Sequence, residues 1–268
     1  MRQEGKNMKI IDIKNPWGAN IYHEEVVSST MDISRNLAAR GETHGTVICA
    51  DFQTAGRGRV RDRTWLMEKG QSLPFTVLLR YPSVQEIPAA LTLRAGLAVC
   101  RAIAVFSPPL EDRLKIKWPN DIMFKDKKMA GILCEAEGGN AYTGIGINFA
   151  QKDFPPGLQK AVSVAFAADT EYSPNERFTL LEKTLFCLKR ELESDDWKER
   201  LEQSLYKKGE RVEFIDGEAG SQKSVTGILA GISDTGELLI IPDCETEERA
   251  FISGELRLSW DSHIKHCN

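Results

Sequence analysis

Apolar positions recur along the chain with two periods, and the switches between them mark the elements. Ser28-Ser29-Thr30 precedes a run in which Ile33, Leu37 and Ala38 share one helical face, and Gly41 follows. A hydroxyl able to accept from an early amide, an apolar stripe at helical spacing and a glycine stop predict a helix over 31–40. Segments 45–52 and 73–80 are β-branched and apolar, the pattern of strands. Segment 88–106 reads as a long, largely buried helix. Runs 114–118, 122–124 and 129–135 are short and strand-like, with Lys125-Asp126-Lys127 as a hairpin tip. Segment 141–149 alternates around Gly144 and Gly146, where a strand tolerates the close approach of a backbone or a ligand. Segments 178–192 and 197–206 return to helical spacing, and the polar residues 1–20 read as a short lead-in strand or arm.

The pattern changes after Lys207-Lys208-Gly209. Short β-type runs at 211–215, 224–230, 237–241, 249–252 and 256–260 are separated by Asp-Gly, Ala-Gly and Thr-Gly turns. So many strands in so short a stretch suggest a small barrel rather than a sandwich. The boundary falls near Tyr206, giving a larger domain over 1–206 and a small one over 207–268. The end, 263–268, carries no packing signal.

Composition narrows the classes. With 268 residues, 41% hydrophobic and 28% charged, the chain can build a core without disulfide or metal staples. A net charge of −4 does not call for wholesale binding of nucleic acid or anionic membrane. No stretch approaches the ~18 consecutive apolar residues of a membrane span, since Arg101 interrupts the best run, 96–106. The N-terminus mixes acidic and basic residues with no apolar stretch after it, unlike a signal peptide. The six cysteines lie at least 23 residues apart and form no metal spacing, so a cytoplasmic location is expected.

Four segments carry candidate chemistry. In Asp51-Phe-Gln53-Thr-Ala-Gly56-Arg57-Gly58-Arg59-Val-Arg61-Asp-Arg63-Thr-Trp65, arginine forks alternate with residues that free the backbone. Such forks bind phosphate or carboxylate oxygens bidentately while glycine amides approach the same oxygens. Alone, the segment serves equally as a solvated loop or an arginine-rich RNA contact. Arg61 at the third glycine position rules out a dinucleotide fingerprint. Lys115-Ile-Lys117-Trp118-Pro-Asn120-Asp121 is a rigid polar turn that, alone, is an ordinary Asn-Asp turn. Lys127-Lys128-Met-Ala-Gly131 places Lys128 at a strand mouth, where an ammonium kept charged needs an anionic partner. A solvent-exposed lysine beside a turn fits as well. Gly144-Ile-Gly146-Ile-Asn148 ends a strand in an amide able to read a base or ribose; singly, it reads as core. His23 and His44 read as structural.

Together and in this order, these motifs resemble the biotin protein ligases, the biotin–[acetyl-CoA-carboxylase] ligases. The resemblance is strong over about 28–148 and weak beyond. It implies an α+β fold with a mixed central sheet flanked by helices, like a class II synthetase catalytic domain, and a small C-terminal SH3-like β-barrel. Ser29, Thr30 and Met31 match the turn that hydrogen-bonds the ureido ring of biotin, and Gln53 lines the same pocket. Arg57, Gly58 and Arg59 match the loop over biotin and its adenylate. Lys128 matches the lysine that touches the biotin carboxyl group and the α-phosphate, making Lys128 and Arg59 the candidate catalytic residues. Lys117, Asn120 and Asn148 fall around the adenylate, and Trp65 and Trp118 would frame the adenine or the loop.

The implied substrates are ATP and biotin. Mg²⁺ would enter with ATP near Asn120 and Asp121, not at a protein-only site. The implied partner is a biotin carboxyl carrier domain of acetyl-CoA carboxylase or a related carboxylase. The arginine–glycine loop would be disordered when empty and order over the intermediate. A relative's repressor role needs a DNA-binding domain. About twenty residues precede the catalytic region, short of the ~50 that a domain needs, so none is expected. Homodimerisation is left open. The segment 60–64 is one residue longer than the family's usual run and lacks its third glycine. Gly254-Glu255-Leu-Arg257-Leu-Ser259 departs from the family's Gly-Glu-x-Ser-Leu-Arg, which puts a terminal ATP-contacting arginine in doubt. A lipoate or octanoate ligase of the same superfold and an RNA-binding module are the alternatives.

Overall fold

The computed structural model describes residues 8–59, 65, 67–154, 158, 160–217 and 223–257. The larger part is built on an eight-stranded mixed sheet. Its strands are β1 (Lys9–Ile10), β2 (Ile21–Val27), β3 (Thr46–Gln53), β4 (Ser72–Arg80), β5 (Leu114–Lys117), β6 (Asp121–Phe124), β7 (Lys127–Glu137) and β8 (Asn140–Asn148). Their order is β1-β2-β3-β4-β8-β7-β6-β5, with β2 and β3 parallel and the other pairs antiparallel. The parallel pair requires a crossover, supplied by helix α1 (Thr30–Ala39).

Both faces of the central strands are covered, so β4 is apolar almost throughout and buried from Ser72 to Leu79. On one face, α1 sets Ile33 and Leu37 against Val27, Ile48 and Ala50, and sets Met31 and Ala38 against Leu78 and Tyr142. The other face carries α2 (Leu91–Phe106), which packs along α4 (Glu176–Glu193), with α5 (Trp197–Ser204) beside it. A short helix, α3 (Val164–Ala168), follows the sheet.

Two differences from the pattern have physical reasons. Helix α2 begins three residues later than the apolar run, after Ala90 adopts a left-handed conformation at φ 56°. Strand β2 escapes the hydrophobic pattern because only Ile21 and Val27 at its ends are fully buried, with His23, Glu24 and Glu25 between them.

A second sheet follows, with β9 (Arg211–Asp216), β10 (Ser224–Ile232), β11 (Leu238–Pro242), β12 (Arg249–Phe251) and β13 (Gly254–Leu256). It is antiparallel in the order β12-β11-β10-β9-β13. The last predicted strand is seen to Leu256; 258–268 lie outside the described residues. The two sheets share a continuous apolar core in which Trp118 packs on Phe214, ring centroids 5.9 Å apart. No described helix is long and apolar enough to cross a membrane.

Candidate active site

The site lies on the α1 side of the central sheet, beyond the part that α1 covers. Cross-strand partners share a face, and in register Thr76 faces Gly144 while Gly146 faces Gly131. The result is a floor nearly without side chains. The indole of Trp65 lies on it: a methyl on Gly146 would sit 2.7 Å from Trp65 Cε2, and one on Gly131 3.1 Å from Trp65 Cζ3. These distances leave no room for a Cβ without moving the ring, so the glycines are required for this close approach. Met31 Sδ reaches within 3.1 Å of where a Gly144 methyl would lie.

One end of the floor is polar and fixed. Ser29 caps α1, its Oγ accepting from the Met31 amide at 3.3 Å. The Thr30 N–H and Oγ1–H both donate to Gln53 Oε1, at 2.8 and 3.0 Å, and the Thr76 hydroxyl donates to Thr30 Oγ1 at 2.9 Å. Gln53 Oε1 is thereby committed, which fixes the amide orientation and presents Nε2 toward Gly56. Ser29 and Thr30 are buried. Arg57 reaches the first turn of α1, where its Nη2 lies 2.7 Å from Asp32 Oδ1. The Trp65 amide donates to the Gly56 carbonyl at 3.1 Å, tying together the two ends of the arginine–glycine segment.

The other end is Lys128. The register between β6 and β7 shifts, with Ile122 opposite Ala130 but Met123 opposite Lys128, so Met129 is an extra residue. Such a bulge re-aims a side chain. Here the lysine stem folds back over Gly131, with Cε 3.1 Å from where a methyl there would lie. Its Nζ sits 2.6 Å from Asp121 Oδ1 and 5.7 Å from the Trp65 ring centroid. Its backbone is held by Lys160 O at 2.7 Å and Val162 N at 2.9 Å. The polar cradle, the glycine floor and the ammonium therefore form one contiguous surface. Arg57 and Gly56 border it, and the Trp65 indole lies over its Gly131–Gly146 part.

The amides of Asn120 and Asn148 flank this surface as brackets. Asn120 Nδ2 donates to Ile132 O at 3.0 Å, and Asn148 Nδ2 reaches Lys128 O at 3.4 Å. Lys117 is buried on β5 directly across from Asp121. Among the described residues no three His, Cys, Asp or Glu side chains gather to hold a metal. A magnesium ion entering with ATP would take phosphate and water ligands beside at most one or two carboxylates, and Asp121, next to Lys128, is the carboxylate at this end of the groove.

Against known proteins, residues 24–151 match the model of the biotin/lipoate A/B protein ligase family. The chain is 31% identical over 211 residues to the biotin–[acetyl-CoA-carboxylase] ligase of Paracoccus denitrificans, covering 75% of this chain and 86% of that protein. This chain belongs to the biotin protein ligase family. It is 34% identical to the bifunctional ligase/repressor BirA of Bacillus subtilis over 65% of its own length, but spans only 54% of that relative. A solved structure of biotin protein ligase from Aquifex aeolicus in complex with biotin and ATP superposes with a TM-score of 0.73 at 28% identity. That match covers 91% of this chain and 98% of the other.

Within this family fold, some residues singled out in the sequence stand apart from the groove. Trp118 does not join it. Its indole N–H donates to Gly236 O at 3.0 Å and its ring packs on Phe214, so it joins the two sheets. Arg59 also turns toward the second sheet, with Nη2 donating to Gly254 O at 2.9 Å. Arg257 is engaged with Glu213 Oε1 at 2.6 Å. Arg61, Arg63 and Ser259 lie outside the described residues.

Other groups near the site had no clear signal in the sequence. Asp121 as the partner of Lys128 could have been found from the shared hairpin, which places the two on adjacent strands. Thr76 sits in an apolar run and was legible only as a strand residue. The cluster of His23, Asp51 and Arg177 joins residues up to 154 positions apart, and no local pattern signals it.

Proposed function

We propose that the protein is an ATP-dependent ligase that activates biotin as biotinyl-5′-AMP and passes it to a lysine of a biotin carboxyl carrier domain, that of acetyl-CoA carboxylase or a related carboxylase. The observation that carries this reading is the contiguity of a fixed polar cradle, a glycine floor and one ammonium group. The ureido ring meets Thr30 and the Gln53 Nε2 donor. The apolar chain of biotin lies along Gly144, Gly146 and Gly131 once the Trp65 indole, which covers Gly146 and Gly131, swings off the floor, and its carboxylate ends at Lys128.

In the first step a carboxylate oxygen attacks the α-phosphorus of MgATP. The new acyl–phosphate bond forms as the bond from the α-phosphorus to the α,β-bridging oxygen breaks, and pyrophosphate leaves. Two anions must meet, so the barrier is one of charge and position. Lys128 supplies countercharge at both reacting groups. Preorganised donors of this kind contribute about 3–4 kcal/mol each in the transition state. In the second step the carrier lysine, as the free amine, attacks the acyl carbon; AMP departs and the amine loses its proton to solvent. No covalent enzyme intermediate is required. Arg57 and Trp65, joined by Arg59 once it swings from Gly254 O into the groove, keep water from the mixed anhydride in the interval.

The division into a catalytic domain, 1–206, and a smaller domain, 207–268, is part of this reading. It is supported by the separate hydrogen-bonded sheets on either side of α5. A reducing cytoplasm is the compartment we assign, in keeping with the free thiols of Cys49, Cys100, Cys134, Cys187 and Cys244 among the described residues. A thermal scan with biotin, MgATP, and both together tests the proposal. A ligand that binds only the native state raises the midpoint with its concentration. Both together should raise it well beyond the sum of the separate shifts, with lipoate in place of biotin giving no such excess. An excess with lipoate and none with biotin would reverse the assignment.

A further inference from the structure

We infer that Arg177, on helix α4 and outside the groove, is a positioning residue that fixes the base of the arginine–glycine segment and so helps the enzyme retain its intermediate; this rests on the ligase reading above. Arg177 is 5% exposed. Its Nη2 lies 2.5 Å from Asp51 Oδ1, and its Nη1 donates to two carbonyls, Gly70 O at 3.1 Å and Pro174 O at 2.9 Å. The same Asp51 oxygen faces His23 Nε2 at 2.7 Å. An ionised carboxylate only accepts, so that ring nitrogen carries the proton. One guanidinium thus ties β3 to the turn at Gly70.

The turn matters because of what it joins. Gly70 N donates back to Asp51 O at 3.0 Å, two residues before Gln53. Gly70 has φ +75°, a left-handed conformation that suits glycine. The next residue, Gln71, accepts from both Phe149 N at 3.1 Å and Ala150 N at 2.8 Å, directly after Asn148 at the end of β8. Between this turn and residues 150–153 opens a cavity of about 650 Å³, whose wall includes Gln53, Trp65, Met67 and Glu68. Glu68 and Gln71, on either side of Lys69 and Gly70, line that wall together with Gln53 and Trp65 of the groove, so a shift of the turn is passed to it.

A buried ion pair is by itself weak evidence for stability, since well-packed apolar replacements are often neutral. What an apolar side chain cannot replace is the simultaneous hold on a carboxylate and two loop carbonyls, which requires the planar fork of arginine. Lysine can keep the charge on Asp51 but not the geometry at Gly70.

The test compares Arg177→Lys, Arg177→Met and His23→Gln with the wild type in two measurements. The first is the fraction of biotinyl adenylate released free in a single turnover without carrier. The second is amide hydrogen exchange at 68–71 without ligands. Expected for Arg177→Lys is a midpoint near that of the wild type, a roughly tenfold rise in released adenylate and faster exchange confined to 68–71, the scale of one lost charge-assisted hydrogen bond. His23→Gln, which leaves the Gly70 bond in place, should retain adenylate as the wild type does. Should Arg177→Met fail to fold, Arg177→Lys decides alone. Wild-type retention in Arg177→Lys, or equal leakage in His23→Gln, overturns the inference. If the wild type forms no adenylate, the ligase reading fails, and the exchange measurement still decides whether Arg177 fixes the turn.

Discussion

Lys128 Nζ lies 2.6 Å from Asp121 Oδ1, across a hairpin whose β6–β7 register shifts at Met129. The pair is partly exposed, with side-chain accessibilities of 36% and 21%, so as an ion pair it contributes about 0–1 kcal/mol to stability. Its worth is in aim, since the carboxylate holds the ammonium over Gly131 before substrates arrive. Replacing Asp121 with Asn should slow adenylate formation by about ten- to a hundredfold, the cost of losing one preorganised charge, while biotin affinity changes little. Rapid-quench measurement of adenylate formation checks this. An unchanged rate would show that Lys128 needs no partner to aim it.

The glycine floor predicts a sharper effect on binding than on folding. A methyl at Gly146 would meet Trp65 at 2.7 Å, and the neighbour it strikes is a side chain that can swing. Gly146→Ala should therefore lower biotin affinity by about tenfold or more with a midpoint shift of a few degrees at most. Calorimetric titration with biotin, beside a melting scan, separates the two effects. A large loss of stability with intact affinity would contradict the groove.

For Trp118 the expectation runs the other way. Trp118→Phe keeps the apolar packing on Phe214 but leaves the Gly236 carbonyl without its indole donor. The cost should be about 1–2 kcal/mol of stability, with the KM for ATP within about twofold of wild type, as suits a residue away from the reaction. A marked rise in that KM would return Trp118 to the nucleotide.

Much of the fold was legible from periodicity because strands such as β4, buried on both faces, read as unbroken apolar runs. β2 was not, since its interior positions from Tyr22 to Val26 are half-exposed or exposed and mostly polar. At the site, Ser29, Thr30, Gln53 and Lys128 stood in short motifs whose spacing the sequence displays. Trp118 belonged to the same motif string, yet its direction depends on packing against Phe214, nearly a hundred residues later. The Arg177–Asp51–His23 cluster is equally non-local, made by the sheet and α4 meeting: His23 alone reads as structural, Asp51 as the start of a motif, and nothing in the sequence pairs either with Arg177.

The thiols predict the alkaline limb of stability. Desolvation raises the buried Cys49 thiol to about 12 and Cys134 to about 11. The folded state thus keeps protons that the unfolded chain releases from about pH 8.5 upward. Their contribution is fully present below that pH and is lost as pH rises toward 11 and 12. Denaturant unfolding of Cys49→Ala between pH 8 and 10.5 should show a shallower decline than wild type. Parallel declines would mean that these thiols ionise alike in both states.

The most direct measurement is biotin-dependent exchange of labelled pyrophosphate into ATP by the wild type and by Lys128→Ala. The wild type should exchange label only when biotin is present. Lys128→Ala, folded and melting near the wild-type midpoint, should exchange at least a hundredfold more slowly, as expected when a charge at the reacting phosphate is removed. Exchange at the wild-type rate in Lys128→Ala, or none in the wild type, would contradict the convergence of the polar cradle and this ammonium on one acyl phosphate.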